Sequence, residues 1–403
     1  MPNKNAASLQ LDLELEAGMD FIRRTLSNEL FPNRRITESV PDLDWLMVNN
    51  LLIRHRLAAF FYVLSKSRRD SWPKHFREQL RQSYYSLLLH NDSCASQVKK
   101  VLTAFKNANI PVIVLKGWAL IMTLYAGDHG QRYCEDIDIL VKPQDIDHAE
   151  EILQKLGCIG VEESWPGYNR RYMNERAYLT PKQNSPFGRN FSIGLHWGLL
   201  HIPAYDPDRI DLDGLFERAV PLTVCGTPVL ELSTEDNLAY SSAHLGLHHR
   251  LDSALFRYFE IARIILLAGS AFDWQAVLNR ASQWGCSYSL KKVLEKVESL
   301  WPGVIPGDMI FAISQLKIRS GERFVYAWMQ KFTDQPTLLQ ILTWFTLPGA
   351  HRRFGLMLQD IFPGAAFMKK RYGPAPAGIW PLLYFRRLAR ALQFLFNKLT
   401  STV

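Results

Sequence analysis

Between Pro111 and Val141 the chain reads PVIVLKGWALIMTLYAGDHGQRYCEDIDILV, and few folds accommodate such a run. A β-branched stretch ends in a Lys-Gly turn, an apolar helix follows, and after a loop containing Arg132 a second strand opens on two aspartates one residue apart. Side chains at i and i+2 of a strand leave the same face. Asp136 and Asp138 therefore point together while Ile137 and Ile139 are directed into a core. Two carboxylates held in this way suit a divalent cation, and strand, helix and strand in so short a stretch require a sheet covered by helices.

The flanks differ in character. Residues 1–108 are expected to be helical, because WLMVNNLLIRHRLAAFFYVL and FREQLRQSYYSLLLHNDSCASQVKKVLTAFKNA repeat apolar residues at steps of three and four, with Pro41 and Pro73 as breaks. Residues 109–234 mix strand and helix: after Asp136–Val141 come an acidic-start helix from Asp145 to the Gly157 stop, strands near Arg176–Thr180 and Asn190–Trp197, and an extended stretch from Val220 to Leu232 with a turn at Gly226. Ser233 to Asp236 then caps a new helix. Residues 235–403 return to helical periodicity, broken at Pro302, Pro306, Pro348, Pro363 and the Gly373-Pro374-Ala375-Pro376 cluster. The fold class expected is α+β, an α/β core between two helical regions.

Composition excludes several alternatives. Apolar content of 47% and aromatic content of 12% rule out a largely disordered chain. Five scattered cysteines without a CxxC pair argue against a zinc ribbon or a disulfide framework and point to a reducing, cytoplasmic setting. The N-terminal MPNKNAASLQLDLELEAG lacks the pattern of a signal peptide. No apolar run reaches the roughly 18 to 20 residues of a membrane span. The net charge of +8 is concentrated after His351, where Arg352, Arg353, Lys369, Lys370, Arg371, Arg386, Arg387, Arg390 and Lys398 face Asp360 alone. A contact with a polyanion or an anionic membrane surface would thus fall to the C-terminal tail, whose Trp380, Leu383, Leu388, Leu392, Leu395 and Phe396 make the apolar side of an amphipathic helix. A plain packed helix with solvated charges is the alternative.

The chemistry expected at the centre follows from residue types. A glycine after a strand lets backbone amides approach a phosphate, and the N-terminus of the next helix offers unpaired N–H groups to it; Gly117 and Trp118 hold those places. Lys116 and Arg132 add positive charge, and Asp136 and Asp138 would ligate Mg²⁺, or Mn²⁺ in its stead, against the phosphates. Such parts describe phosphoryl or nucleotidyl transfer.

The succession LKGWAL, Tyr125, Gly130-Gln131-Arg132, Asp136 to Val141 and a helix ending at Gly157 resembles the uncharacterised bacterial nucleotidyltransferases of the polymerase-β superfamily. Leu195-His196-Trp197, His244, the RYFEIA segment from Arg257 to Ala262 and the basic C-terminal end fit the same resemblance. It implies a minimal nucleotidyltransferase fold and Mg²⁺-dependent transfer of an NMP from an NTP, with release of pyrophosphate, to an acceptor that the sequence leaves open: small molecule, sugar, protein or tRNA. It also implies a third carboxylate two residues before His196, where this chain has Gly194. Glu175, Asp206 or Asp208 would have to substitute, or His196 would act as the base. Otherwise the protein is a catalytically impaired module that binds a nucleotide or a partner.

Several of these residues have plainer readings. Arg132 also suits a salt bridge to Glu135 or Asp136, Lys116 a solvated position, His196 a buried structural role and Trp118 the core. His244, His248 and His249 have one helical i, i+4 pair but no HExxH pattern.

Overall fold

The computed structural model describes residues 3–34, 43–67, 71–182, 188, 190–200, 209–249, 254–332, 334–373 and 379–400, with backbone alone at 3–11, 336–337, 380, 391–392 and 394–400. Asp206, Asp208, Pro41, and Pro374 to Pro376 lie outside the described residues, as do the side chains of Trp380, Leu392, Leu395, Phe396 and Lys398.

Four helices lead into the sheet: α1 (Asn3–Leu30), α2 (Trp45–Arg54), α3 (Ala58–Ser65) and α4 (Lys74–Asn107). Asp44 caps α2, its Oδ1 accepting from the amides of Leu46 and Met47 at 2.9 and 3.1 Å. Along α4 the buried stripe Val98, Val101, Leu102 and Phe105 has the spacing of one helix face. After α4 the positive φ of Asn109, 55°, reverses the chain into β1 (Ile113–Leu115).

The middle of the chain then runs α5 (Gly117–Leu124), β2 (Asp136–Leu140), α6 (Ile146–Lys155), β3 (Ile159–Gly160), α7 (Tyr168–Tyr172), β4 (Glu175–Leu179), β5 (Ser192–His196), α8 (Leu212–Arg218), β6 (Val220–Val224) and β7 (Thr227–Glu231). The expected strands are all present. The stretch from Val220 to Leu232 is a two-stranded hairpin whose central residues Cys225 and Gly226 both have positive φ, 49° and 77°. That is the combination a tight hairpin turn requires. The two-residue strand β3 and the short α7 carry no periodic signal long enough to be read from sequence.

The seven strands form one mixed sheet in the order β3-β4-β5-β2-β1-β7-β6. β2 runs antiparallel to β1, with Asp138 opposite Leu115, and parallel to β5, with Asp138 opposite Gly194. β4 is antiparallel to β5 and sets Glu175 opposite His196. Ile137, Ile139, Ile193 and Leu195 pack with the α4 stripe and α6 on one side of the sheet. Leu140, on the same strand face as Asp136 and Asp138, joins Ile113 and Leu115 in a second core on the other side. Strand alternation thus delivers the two aspartates to the side covered by the later helices.

Those helices are α9 (Thr234–His248), α10 (Leu255–Ala268), α11 (Trp274–Trp284), α12 (Ser287–Leu300), α13 (Gly307–Ser314), α14 (Ser320–Phe332), α15 (Pro336–Thr346), α16 (Ala350–Ile361), α17 (Ala365–Tyr372) and α18 (Trp380–Thr400). Ser233 caps α9 by accepting from the Asp236 amide at 3.2 Å. The second core takes side chains from α1, α2 and α3 as well as from α9, α10, α12 and α14, so both ends of the chain pack into one interior. α16 joins a small separate cluster of Tyr168, Tyr172, Leu347 and Leu356. On α18 Leu382 and Phe385 are exposed, and Tyr384 donates to the Pro363 carbonyl at 2.6 Å. Among the described residues no helix is long and apolar enough to cross a membrane.

Candidate functional site

Asp136 and Asp138 leave the same face of β2 but meet different surroundings. Asp138 is largely buried, and both of its oxygens are engaged: Lys116 Nζ lies 3.1 Å from Oδ2 and His196 Nε2 3.0 Å from Oδ1. Burial alone would raise its pKa, yet Lys116 and His196 hold the carboxyl well below the usual carboxylate range. Asp136 stands exposed at the start of the strand, and no cation pairs with it among the described residues. Crowding by protein atoms and the neighbouring Asp138 charge raise it to about 6. It is the electron-rich, uncompensated member of the pair.

The Lys-Gly turn works differently from its expected division of labour. The residue in the left-handed half of backbone space is Lys116, at φ 47° and ψ −128°, not the glycine. Such a conformation is costly for a side-chain-bearing residue and is retained where the surroundings demand it. Here it aims the lysine back over β2, where burial opposes its charge but Tyr240, Asp138 and Glu175 outweigh burial and raise the pKa. Gly117 opens α5, and a Cβ there would stand 3.1 Å from Cys134 Sγ and 3.5 Å from Arg132 Nη1. The glycine therefore lets the loop before β2 close against the turn. The Trp118 side chain is fully buried with its ring edge-on to His129 at 5.3 Å, so it serves the core and not the wall of the cleft.

Gly194 is not an empty place in the site. A Cβ at this position would lie 2.4 Å from Asp138 Oδ1 and 3.0 Å from His196 Nε2, so the absence of a side chain is what allows Asp138 and His196 to meet. His196 is 1% exposed and stands between two acids, with Glu175 Oε2 3.1 Å from its Nδ1. That second contact has ion-pair distance without hydrogen-bond alignment, since Nδ1 has no hydrogen-bond partner. Burial would lower the histidine's pKa, but Glu175 and Asp138 together raise it. The result is a chain of alternating charge, Lys116, Asp138, His196 and Glu175. Of the substitutes expected for the third carboxylate, Glu175 from β4 faces the same cavity as both aspartates.

Two hollows meet at this line. The larger, about 410 Å³, lies between the Lys116 turn, Asp136 and the helices α9 and α10, and includes Arg56, His249 and Arg257. The smaller, about 170 Å³, is bounded by Glu175, His196, Leu199, Tyr240 and His248. Lys116, Asp136, Asp138 and His244 border both. His244 is driven well below the usual histidine pKa by burial and by Lys116, so it is a neutral ring at the junction. It stacks on His248 at 4.8 Å. Among the described residues no group of three or more His, Cys, Asp or Glu side chains is arranged to hold a metal ion.

Arg132 borders the larger hollow, but its guanidinium is paired with a residue that spacing does not reveal. Its Nε and Nη2 donate to Glu260 on α10 at 2.6 and 3.2 Å, and Tyr125 donates to the same carboxylate at 3.0 Å. The salt bridge considered from sequence exists, with Glu260 in place of Glu135 or Asp136. Arg56 and Tyr240 carry no signal in the sequence, and Arg257 and Glu260 stand out there only as parts of the RYFEIA helical segment. Each reaches the site through tertiary packing, with no local pattern to mark it.

No curated protein matches the chain. Among solved structures, an antigenic nucleotidyltransferase-like protein from Paracoccidioides brasiliensis aligns at 18% identity and a TM-score of 0.34, over 57% of this chain and 95% of that one. Residues 41–302, which include Arg56, the Lys116 turn, both aspartates, Glu175, His196 and Arg257, match the uncharacterised nucleotidyltransferase family, and the chain belongs to that family.

Proposed function

We propose that the protein transfers a nucleoside monophosphate from an NTP to a hydroxyl-bearing acceptor and releases pyrophosphate, with the NTP in the larger hollow and the acceptor in the smaller. The observation that carries this reading is the meeting of the two hollows at Asp136 and Asp138. A donor and an acceptor placed in them would face each other across the paired carboxylates, and positioning of that kind supplies much of the rate of phosphoryl-group transfer.

The donor set fits a hard divalent cation. Mg²⁺ is commonly held by one or two carboxylates, with substrate phosphates and water completing its shell. Asp136, uncompensated and on the same face as Asp138, has that character, and these two residues would hold Mg²⁺ or Mn²⁺. When bound, the ion would neutralise phosphate charge developing in the transition state. The chain's own contribution is orientation. Lys116 sits where its ammonium can leave Asp138 for a phosphate oxygen, and the amides of Gly117 and Trp118 at the start of α5 offer donors to the same group. Glu175, at the edge of the smaller hollow, is placed to accept the acceptor's hydroxyl proton.

Incubation with Mg²⁺, each of the four labelled NTPs and cell extract as a source of acceptors tests the proposal. Label should enter a product and pyrophosphate should appear, both lost on chelation of the metal. A protein that binds NTP yet yields neither is instead the binding module, a reading favoured by the engagement of both Asp138 oxygens within the protein.

A further inference from the structure

Four cationic side chains, Arg56, Lys116, Arg132 and Arg257, and four carboxylates, Glu135, Asp136, Asp138 and Glu260, border the larger hollow, but they are not all paired with one another. Arg132 is paired with Glu260, and Lys116 with Asp138. Arg56 and Arg257 have no ion-pair partner among the described residues, and both border the hollow. Their guanidinium carbons lie 5.9 and 4.8 Å from the centre of the same Phe256 ring, with that of Arg132 at 5.8 Å. Three guanidinium groups gathered about one ring repel one another. Burial and the Arg56 charge lower Arg257 to about 10, and burial with Arg257, Lys116 and Arg56 lowers His249 to about 4.

The arrangement is built rather than incidental. Arg56 sits at φ 56° in the turn after α2, a backbone conformation that side-chain-bearing residues seldom adopt. The preceding residue, His55, accepts the Leu255 amide on its Nδ1 at 3.2 Å. This bond joins the end of α2 to the start of α10 and so fixes Arg56 beside Arg257, although the two segments are 200 residues apart. Burial and Arg54 lower the pKa of His55, which keeps the acceptor nitrogen free of a proton. Crowded cations held on a strained turn and a cross-linked helix start are stabilised by an anion of high charge density placed between them.

We propose that Arg56 and Arg257 form a clamp for condensed phosphate on the wall of the larger hollow, receiving the β- and γ-phosphates of the NTP. The identity of the ligand as an NTP rests on the nucleotidyl transfer proposed above; the clamp itself rests on the two arginines. It moves the triphosphate contact from Arg132, the residue that sequence suggests, to a helix turn that precedes the sheet and a helix that follows it. Guanidinium forks suit phosphate oxygens bidentately in a way lysine does not.

Calorimetric titration of the full chain with ATP, inorganic tripolyphosphate and AMP, in EDTA so that no metal bridges the ligand, measures the clamp directly. Wild type should bind ATP and tripolyphosphate, and AMP much less well. Arg56→Met and Arg257→Met, which keep the apolar stem against Phe256, should each weaken ATP and tripolyphosphate on the order of tenfold or more while changing AMP little. Arg56→Lys, which keeps the charge and loses the fork, should fall between. If the turn does not tolerate Arg56→Met, shown by a lowered thermal midpoint, Arg257→Met and Arg56→Lys decide the matter. Variants that bind ATP as wild type does overturn the clamp and leave nucleotidyl transfer standing. Wild type that binds neither ATP nor tripolyphosphate also overturns it. Tripolyphosphate binding lost in the variants, from a protein that releases pyrophosphate from no NTP, upholds the clamp and removes the transfer reading.

Discussion

The two aspartates of β2 look equivalent in sequence and are not equivalent in energy. Asp138 compensates Lys116 and His196 in a nearly closed space, so Asp138→Asn leaves Lys116 without its ion-pair partner and His196 with Glu175 alone, and should cost about 3–5 kcal/mol, read as a lower urea midpoint. Asp136 has the opposite sign. Its folded pKa of about 6 exceeds the ordinary 3.8, so the folded chain holds this proton more tightly than the unfolded one. Its contribution to stability is full below about pH 4 and is lost as the pH rises to about 6. At pH 7.5 Asp136→Asn should therefore melt at or above the wild-type temperature while losing Mg²⁺-dependent transfer. The difference between the two melting temperatures should open between pH 4 and 6, and a variant less stable than wild type at pH 7.5 would show that Asp136 is compensated. Gly194→Ala makes the complementary point. Its Cβ must push Asp138 from His196, at a cost of roughly 1–3 kcal/mol, and an unchanged midpoint would mean that the contact is not needed.

At the scale of elements, the loop between α5 and β2 is held by one ion pair to α10. Arg132 and Glu260 are 11% and 6% exposed, and breaking such a pair from one side costs about 3–5 kcal/mol. Glu260→Gln should accordingly be severely destabilised, whereas Arg132→Met combined with Glu260→Met should recover much of the loss, because no buried charge is left alone. If Arg132 serves packing rather than phosphate, the double variant retains ATP affinity near the wild-type value in the same calorimetric titration; loss of binding without loss of stability would return Arg132 to the ligand. The pair also marks where reading a sequence stops. β1, β2, β5 and the α4 stripe are readable because their apolar periods are local, and the Ser233 cap because its partners lie within one turn. The Arg132 partner lies 128 residues away and Arg56 answers to no period at all. Glu175 was among the candidates for the third acid, but only the antiparallel register of β4 against β5 brings it to His196. The resemblance singled out the carboxylates and the turn that border both hollows, and it cast Gly194 as a loss because a sequence cannot show that Asp138 and His196 meet in the space above it.

For the whole molecule the decisive fact is that sequence character changes twice while the interior does not. The core beneath Asp136 and Asp138 joins Phe60 of α3, Leu115 of β1, Tyr125, Leu140 of β2 and Phe259 of α10. A fragment of residues 109–234, the mixed strand and helix part, would expose Ile113, Leu120, Leu124 and Leu140 to water at about 25 cal/mol for each Å² of apolar surface. It should fail to give a cooperative melting transition. The C-terminal end divides differently. Ile313, Val325, Tyr326, Met329 and Leu342 belong to the same interior although they lie beyond the family match, so a chain ending at Leu300 should lose its cooperative transition too. α16 rests on the Tyr168, Tyr172, Leu347 and Leu356 cluster and on Asp360, which accepts from Tyr168, Gln340 and Trp344 at 2.6 to 2.7 Å. A chain ending at Leu347 should therefore keep its fold and its affinity for tripolyphosphate, while shedding the basic residues that account for the net charge of +8. Charge and phosphate affinity would then part company. Wild-type tripolyphosphate binding by that shortened chain would place the anion site in the cleft, and binding lost with the tail from a protein that still melts cooperatively would place it on the C-terminal helices.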